Sequence, residues 1–386
     1  MKKLDLFRPE SFIAFYLLFL ILAGAGFLYW KNLTSPTIFG VVFALISLAF
    51  FYLGVRLSKK FKLKKLRGRW VTLFLAALTV YYSFAFAKFF YTHWIPAFII
   101  IMVILWFFLF FVRKLLAYDK IPTKFYTGLI YAGLAFLALT FMQIGGIPLL
   151  KPSLRLLVDQ SWSWGGAIFC LLFGYIGLLL RQKKRMHVYA LIIAATAVIA
   201  LTGFRIVILL FLLSGTIAAY KNKKLDNKTV VVPLIVALLF ILFLGYYISP
   251  IADPGSLLLW RAGSTHSVYE QVLEKSMPFG VEHGQFMMHH ARPRDHLANF
   301  LGAENSLTST MLGPALMEFG PLFALAWMLF LGFILGNAHN SFEKKESLLK
   351  IFYPVLLALS IVWIETGFDQ YMLWFVWTYL LARWLK

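Results

Sequence analysis

HVYALIIAATAVIALTGFRIVILLFLLSGTIAAY, residues 187–220, decides the fold. Thirty-four residues of almost unbroken apolar character are too many for one crossing of a hydrocarbon core, which takes about 17–25. The run is interrupted once, at Leu201-Thr-Gly-Phe-Arg205, and basic segments flank both of its ends. It therefore reads as two short helices meeting at a turn, with an arginine at that turn.

Working outward, similar apolar runs recur along the chain. They cover Ser11–Trp30, Pro36–Val55, Trp70–Phe90, Trp94–Val112, Phe125–Gln143, Gly165–Leu180, Val230–Ile248, Pro321–Leu335, Ile351–Ile364 and Tyr371–Leu381. With the two halves of 187–220, about twelve transmembrane helices are expected. The first run follows Met1-Lys-Lys and Arg8 and is too long, and too well followed by further spans, to read as a cleaved signal. The composition agrees: 61% hydrophobic and 14% charged, against about 45–50% and 25% in a soluble domain. Forty Phe, eighteen Tyr and twelve Trp suit lipid-facing helices with aromatic belts. The expectation is an all-α, polytopic membrane protein, with residues 1–386 forming a single integral membrane domain. The one cysteine, Cys170, lies in an apolar run and excludes a disulfide framework.

Charge orients the chain. The basic segments Arg56–Arg69, with eight basic residues in fourteen, Arg113–Lys124, Arg181–Arg185, Lys221–Lys228 and Lys344–Lys350 all fall on one side of the alternation. By the positive-inside rule that side is cytoplasmic, and both termini lie there. The formal charge of +21 thus sits against anionic headgroups and implies membrane lipids, not nucleic acid, as its partner.

The same alternation exposes Ser249–Phe319 as one large external loop. It holds five of the eight histidines together with Arg261, Glu270, Glu282, Arg292, Arg294, Asp295 and Glu304. A connection this long is functional or disordered, and its Trp, Phe, Met and His content argues for a folded site. Two other outer segments carry arginines. Arg205 stands at membrane depth behind Thr202 and Gly203, and Arg155 follows the stiff Gly145-Gly-Ile-Pro148-Leu-Leu-Lys151-Pro152. Guanidinium forks match phosphate oxygens, so Arg155, Arg205, Arg261, Arg292 and Arg294 are candidate ligands for a lipid diphosphate. A carboxylate or neutral imidazole would then act as general base, and Glu304, His296 and His266 are the candidates. His266 and Glu270 stand i, i+4, on one face of a helix. Glu365 and Asp369, flanking Gly367, end helices or line the cavity from the other side. His289-His290 and His296 lack a third ligand at a recognised spacing, and no metal or other cofactor is expected.

Three stretches resemble the O-antigen polymerase class, the Wzy-type oligosaccharide repeat-unit polymerases, and more distantly the O-antigen ligases. They are Gly145-Gly-Ile-Pro148-Leu-Leu with Arg155, Leu201-Thr-Gly-Phe-Arg205-Ile-Val-Ile-Leu-Leu, and Asn305-Ser-Leu-Thr-Ser-Thr-Met-Leu-Gly313-Pro-Ala-Leu-Met-Glu318-Phe-Gly320-Pro-Leu. The resemblance implies a GT-C-related helical fold and inverting glycosyl transfer on the extracytoplasmic face of the cell membrane. It further implies a polyprenyl- or dolichyl-diphosphate-linked glycan as donor, an acceptor glycan, and no nucleotide sugar or metal, with Arg205 and Arg261 holding the diphosphate. The sequence departs from the ligases at Glu304-Asn305, where they present His-Asn or His-Ser. Other readings are weaker. A lipid-monophosphate sugar donor calls for an acid in the first external loop, and Lys31-Asn-Leu-Thr-Ser35 has none. A transporter or flippase calls for charges within central spans, and a scaffold needs no converging arginines.

Overall fold

A computed structural model describes residues 5–30, 33, 36–61, 121–158, 161–182, 184–233, 254–283, 293–303, 307–344, 348–367 and 370–385, with scattered positions between 76 and 103 and at 235 and 239. The expected spans Trp70–Phe90, Trp94–Val112 and Val230–Ile248 lie largely outside the described residues. So do Arg292, Glu304, Asn305, His289, His290 and Asp369.

Among the described residues there are helices and no strand. In chain order they are α1 (Ser11–Tyr29), α2 (Ile38–Lys60), α3 (Thr123–Ile144), the single turn α4 (Arg155–Val158), α5 (Trp162–Arg181), α6 (Arg185–Ala200), α7 (Arg205–Lys221), α8 (Pro254–Lys275), α9 (Pro293–Leu301), α10 (Leu312–Glu343), α11 (Phe352–Thr366) and α12 (Gln370–Leu385). Among the described residues, six segments are long and apolar enough to cross a membrane: α1, α2, α3, α5, α10 and Leu348–Thr366, which contains α11. The remaining expected spans that are described, α6, α7 and α12, are shorter helices of 16, 17 and 16 residues.

The break expected inside residues 187–220 is present, with α6 ending at Ala200 and α7 beginning at Arg205. The Thr202 hydroxyl donates to the Ile199 carbonyl at 2.7 Å and accepts from the Phe204 amide at 3.3 Å, and Gly203 turns the chain at φ +68°. A side chain at that φ meets a steric cost that glycine avoids. Elsewhere small residues bring backbones together: Gly54 of α2 faces the Leu329 carbonyl of α10, and Gly332 of α10 faces the Phe51 carbonyl of α2. This is how membrane helices pack where lipid supplies no hydrophobic drive. Helix α11 forms the centre, with Phe352 to Leu359 buried throughout.

The described part of the segment expected as an external loop is helical at both of its ends. Its first part is α8, 22 residues long, and Gly26 of α1 lies directly against the backbone of Leu259 and Gly263. Its last part is the start of α10, which runs from Leu312 and kinks at Phe319 and Gly320 before Pro321, where the span was expected to begin. Alpha-8 escapes an apolar-run reading because it buries polar groups on one another: Thr265 and Thr308 hydroxyls meet at 3.1 Å, and the Tyr269 hydroxyl donates to the Gly40 carbonyl at 2.9 Å.

Helix α7 joins two ends of the bundle about 24 Å apart at 1.5 Å per residue. At its C-terminal end the Lys221 ammonium is 2.9 Å from Asp5, 2.9 Å from Glu343 and 3.1 Å from His339 Nε2, and its side chain is 5% exposed. Burial alone would raise the Asp5 carboxyl, but the hydrogen bond and charge of Lys221 outweigh it and hold the group below its ordinary value. A depressed carboxyl contributes stability above its unfolded value of 3.8, lost as pH falls through the lower folded value. Thermal melts of the detergent-solubilised chain are therefore expected to fall more steeply between pH 5 and pH 3 than those of Asp5→Asn. Lys221→Ala, which strands the Asp5 carboxylate, is expected to cost about 2 kcal/mol at pH 7.

Candidate active site

At the opposite end, Arg205 occupies the first position of α7, whose preceding residue, Phe204, makes no side-chain cap. The first amides of a helix point outward unsatisfied, and the helix dipole there favours anions. A cation in this place weakens the helix end unless an anion joins it.

The Gly145–Leu150 segment brings Arg155 to the same place. Alpha-3 ends at Gly145 in the left-handed conformation, with the Gly146 amide returning to the Phe141 carbonyl at 2.9 Å. The chain then crosses to the α6–α7 turn, where the Leu149 amide donates to the Leu201 carbonyl at 3.0 Å. The Arg155 guanidinium stands 5.9 Å over the Phe204 ring, and Phe204 leans on Trp164 at 5.6 Å. Gly203 faces Pro148 and the Arg155 side chain, so the turn and the loop share one wall.

Arg261 enters from α8. Its Nε lies 2.5 Å from Oε1 of Glu365, at the end of α11, with the two side chains 38% and 31% exposed. Gly367 then reverses the chain at φ +70° and packs on Pro314 and the Ser309 carbonyl, which fixes Glu365 beside the approach to α10. That approach, Leu307 to Thr310, is non-helical, with Ser309 and Thr310 buried. Irregular polar backbone survives in a membrane protein where protein or a cavity surrounds it. Arg294, in the first turn of α9, is joined to this strand-like segment through its carbonyl, which accepts from the Leu307 amide at 3.2 Å.

These charges form one field. Those bearing on Arg205 are, in order, Arg261, Arg155, Glu365 and Arg294, with Glu365 alone of opposite sign. Like charges about 8 Å apart repel by about 2 kcal/mol at an effective dielectric near 20. Among the described residues, three guanidiniums and the Glu365 carboxylate thus bear on Arg205, an arrangement that suits a ligand carrying more than one negative charge.

Two of the base candidates, His266 and His296, are among the described residues. His266 is 2% exposed, with Nε2 3.2 Å from Glu270 Oε1, and its ring packs on Phe27 and Tyr269. Glu270 in turn accepts from the Thr37 amide at 2.8 and 2.9 Å, at the start of α2. Five residues after Arg261 on the same helix, His266 points about 140° away from it. His296 Nε2 is 3.0 Å from Glu282, whose amide, with those of Val281 and His283, donates to the Met317 and Glu318 carbonyls at the α10 kink. Outside the candidate set, the structure adds Glu365 to the arginines and places Glu318, fully buried, at that kink. In the sequence Glu365 stood out as a residue beside Gly367 that ends a helix or lines the cavity, and Glu318 as part of the stretch ending at Gly320-Pro-Leu.

A family model described as "Putative O-antigen polymerase" matches residues 5–377, nearly the whole chain. The chain is also similar to an uncharacterized protein of Methanocaldococcus jannaschii, 25% identical over 257 residues, covering 62% of this chain and 70% of that relative. No solved structure matches.

Proposed function

Since the chain belongs to the O-antigen polymerase family, whose role is glycosyltransferase-like polysaccharide assembly in membranes, we propose that it joins glycan repeat units carried on a lipid diphosphate. What supports this reading most is that the charges of Arg261, Arg155 and Arg294 bear on Arg205 at the uncapped start of α7. In the proposed reaction, an acceptor hydroxyl attacks the anomeric carbon of the donor and inverts it. A base takes the hydroxyl proton, and the bond to the diphosphate breaks with its electron pair. Negative charge grows on the departing lipid diphosphate, and the arginines are fixed where it grows. Arg292 belongs to the same proposed set, and Glu304 to the proposed bases. The charge comes from the protein's own side chains, so the scheme runs without a metal.

In this reading the protein is a single multi-pass unit of GT-C-related kind, with the segment 249–319 as its active-site portion. Basic residues close α2 (Lys59, Lys60), α5 (Arg181) and α7 (Lys221) at the end away from Arg205. The positive-inside rule then supports cytoplasmic termini and an extracytoplasmic arginine site. In cells, Arg155→Ala is expected to accumulate unextended lipid-linked repeat units; unchanged polymer length and amount would count against the reading.

For His266 the proposed role is positional, through the clamp of α8 on α2. His266→Ala is expected to destabilise the fold by about 1–3 kcal/mol of lost contacts, read as a lowered melting temperature, while folded protein keeps its transfer rate within about threefold. A hundredfold loss in folded protein would return His266 to the base role.

A further inference from the structure

Resting on that reading, we infer that Glu365 is an internal competitor for the diphosphate seat: it holds Arg261 when the site is empty, yields it to the donor, and reclaims it to expel the spent lipid diphosphate. The pair is built for exchange. Nε to Oε1 is 2.5 Å, yet both side chains keep about a third of their surface open, which leaves Arg261 a face for an incoming anion. Glu365 cannot leave the site, because Gly367 turns the chain immediately after it and packs on Pro314 and Ser309. Its carboxylate therefore stays at high local concentration beside Arg261, in the manner of a tethered ligand.

A site of four arginines without a resident anion holds a diphosphate too well. Transfer leaves the lipid diphosphate with more negative charge than it had as a glycosyl ester, so the product binds more tightly than the donor. Product release then limits turnover unless something replaces the phosphate oxygens. Glu365 is the carboxylate opposing the field at Arg205 among the described residues, and it already holds one of the guanidinium forks. A donor with two phosphate charges and bidentate geometry displaces a single carboxylate. When the product moves, the carboxylate returns.

The test uses the detergent-solubilised full chain and inorganic pyrophosphate as probe, in wild type, Glu365→Gln and Glu365→Asp, each checked for folding by gel filtration and melting. Pyrophosphate is expected to bind Glu365→Gln about tenfold more tightly than wild type, and Glu365→Asp by a smaller factor in the same direction. With a polyprenyl-diphosphate oligosaccharide, Glu365→Gln is expected to show a burst of about one product per site, a lowered KM and a lowered kcat. Equal or weaker pyrophosphate binding in both variants overturns the inference, as does a lowered kcat with no burst and no tightening, which assigns Glu365 to proton transfer instead. If wild type itself does not bind pyrophosphate, the lipid-diphosphate reading falls and takes this inference with it. Binding by wild type without tightening in the variants removes the inference alone.

Discussion

Arg205→Ala is expected to lower transfer from a polyprenyl-diphosphate oligosaccharide by about 10³-fold, with gel-filtration behaviour unchanged. A preorganised donor aimed at developing charge contributes about 10²–10³ in rate, and Arg205 occupies the most favoured place for such a donor. It starts α7, where the free amides and the dipole already point at the ligand. Its neighbours Arg261, Arg155 and Arg294 repel it in the empty site, so an anion relieves strain as well as making bonds. Alanine removes a cation from a crowded electropositive group, and the turn is held by Thr202 and Gly203 independently of the guanidinium, so folding survives. Arg205→Lys keeps the charge without the planar fork and is expected to recover about tenfold. Product formation per folded protein measures both.

Arg261→Ala is expected to weaken donor binding about 10²-fold, and adding Glu365→Gln to it to recover about tenfold. The loss of the guanidinium removes one phosphate ligand, and it also releases the Glu365 carboxylate toward the remaining arginines, where it opposes the donor. An equal gain from Glu365→Gln with and without Arg261 means that the carboxylate opposes the donor through the remaining arginines as well, and the double-mutant cycle reads this directly. A double variant that binds the donor more weakly than Arg261→Ala alone would show that Glu365 supports the donor rather than competing with it. Pyrophosphate titration of the four proteins gives the answer.

Much of the helical bundle could be read from apolar run length, and the turn at Leu201–Arg205 from a single break in one run. Those signals are local. The length of α8 was hidden, because it spends its polar residues on partners far away in the chain: Glu270 on the Thr37 amide, Thr265 on Thr308, Arg261 on Glu365. Spacing put His266 and Glu270 on one face of a helix, which is where they are, but spacing is silent on what that face meets. It meets α1 and α2, while Arg261 faces the arginines. Similarly, Gly320-Pro321 announced an interruption, yet the helix resumes behind it to Leu312 because the freed Met317 and Glu318 carbonyls are taken up by the amides of Val281, Glu282 and His283. Arg155, Arg205 and Arg261 were picked out from separate segments, and Glu365 as ending a helix or lining the cavity; that Glu365 meets Arg261 required three dimensions.

The central claim is that the arginine site makes glycosidic bonds from a lipid-diphosphate donor. The direct measurement incubates purified wild-type protein with a polyprenyl-diphosphate oligosaccharide in vesicles, without added metal, and resolves the lipid-linked products by size. The account predicts a ladder of longer lipid-linked chains with release of polyprenyl diphosphate. Vesicles in which the donor changes leaflet while no glycosidic product forms would contradict it and assign the protein to transport.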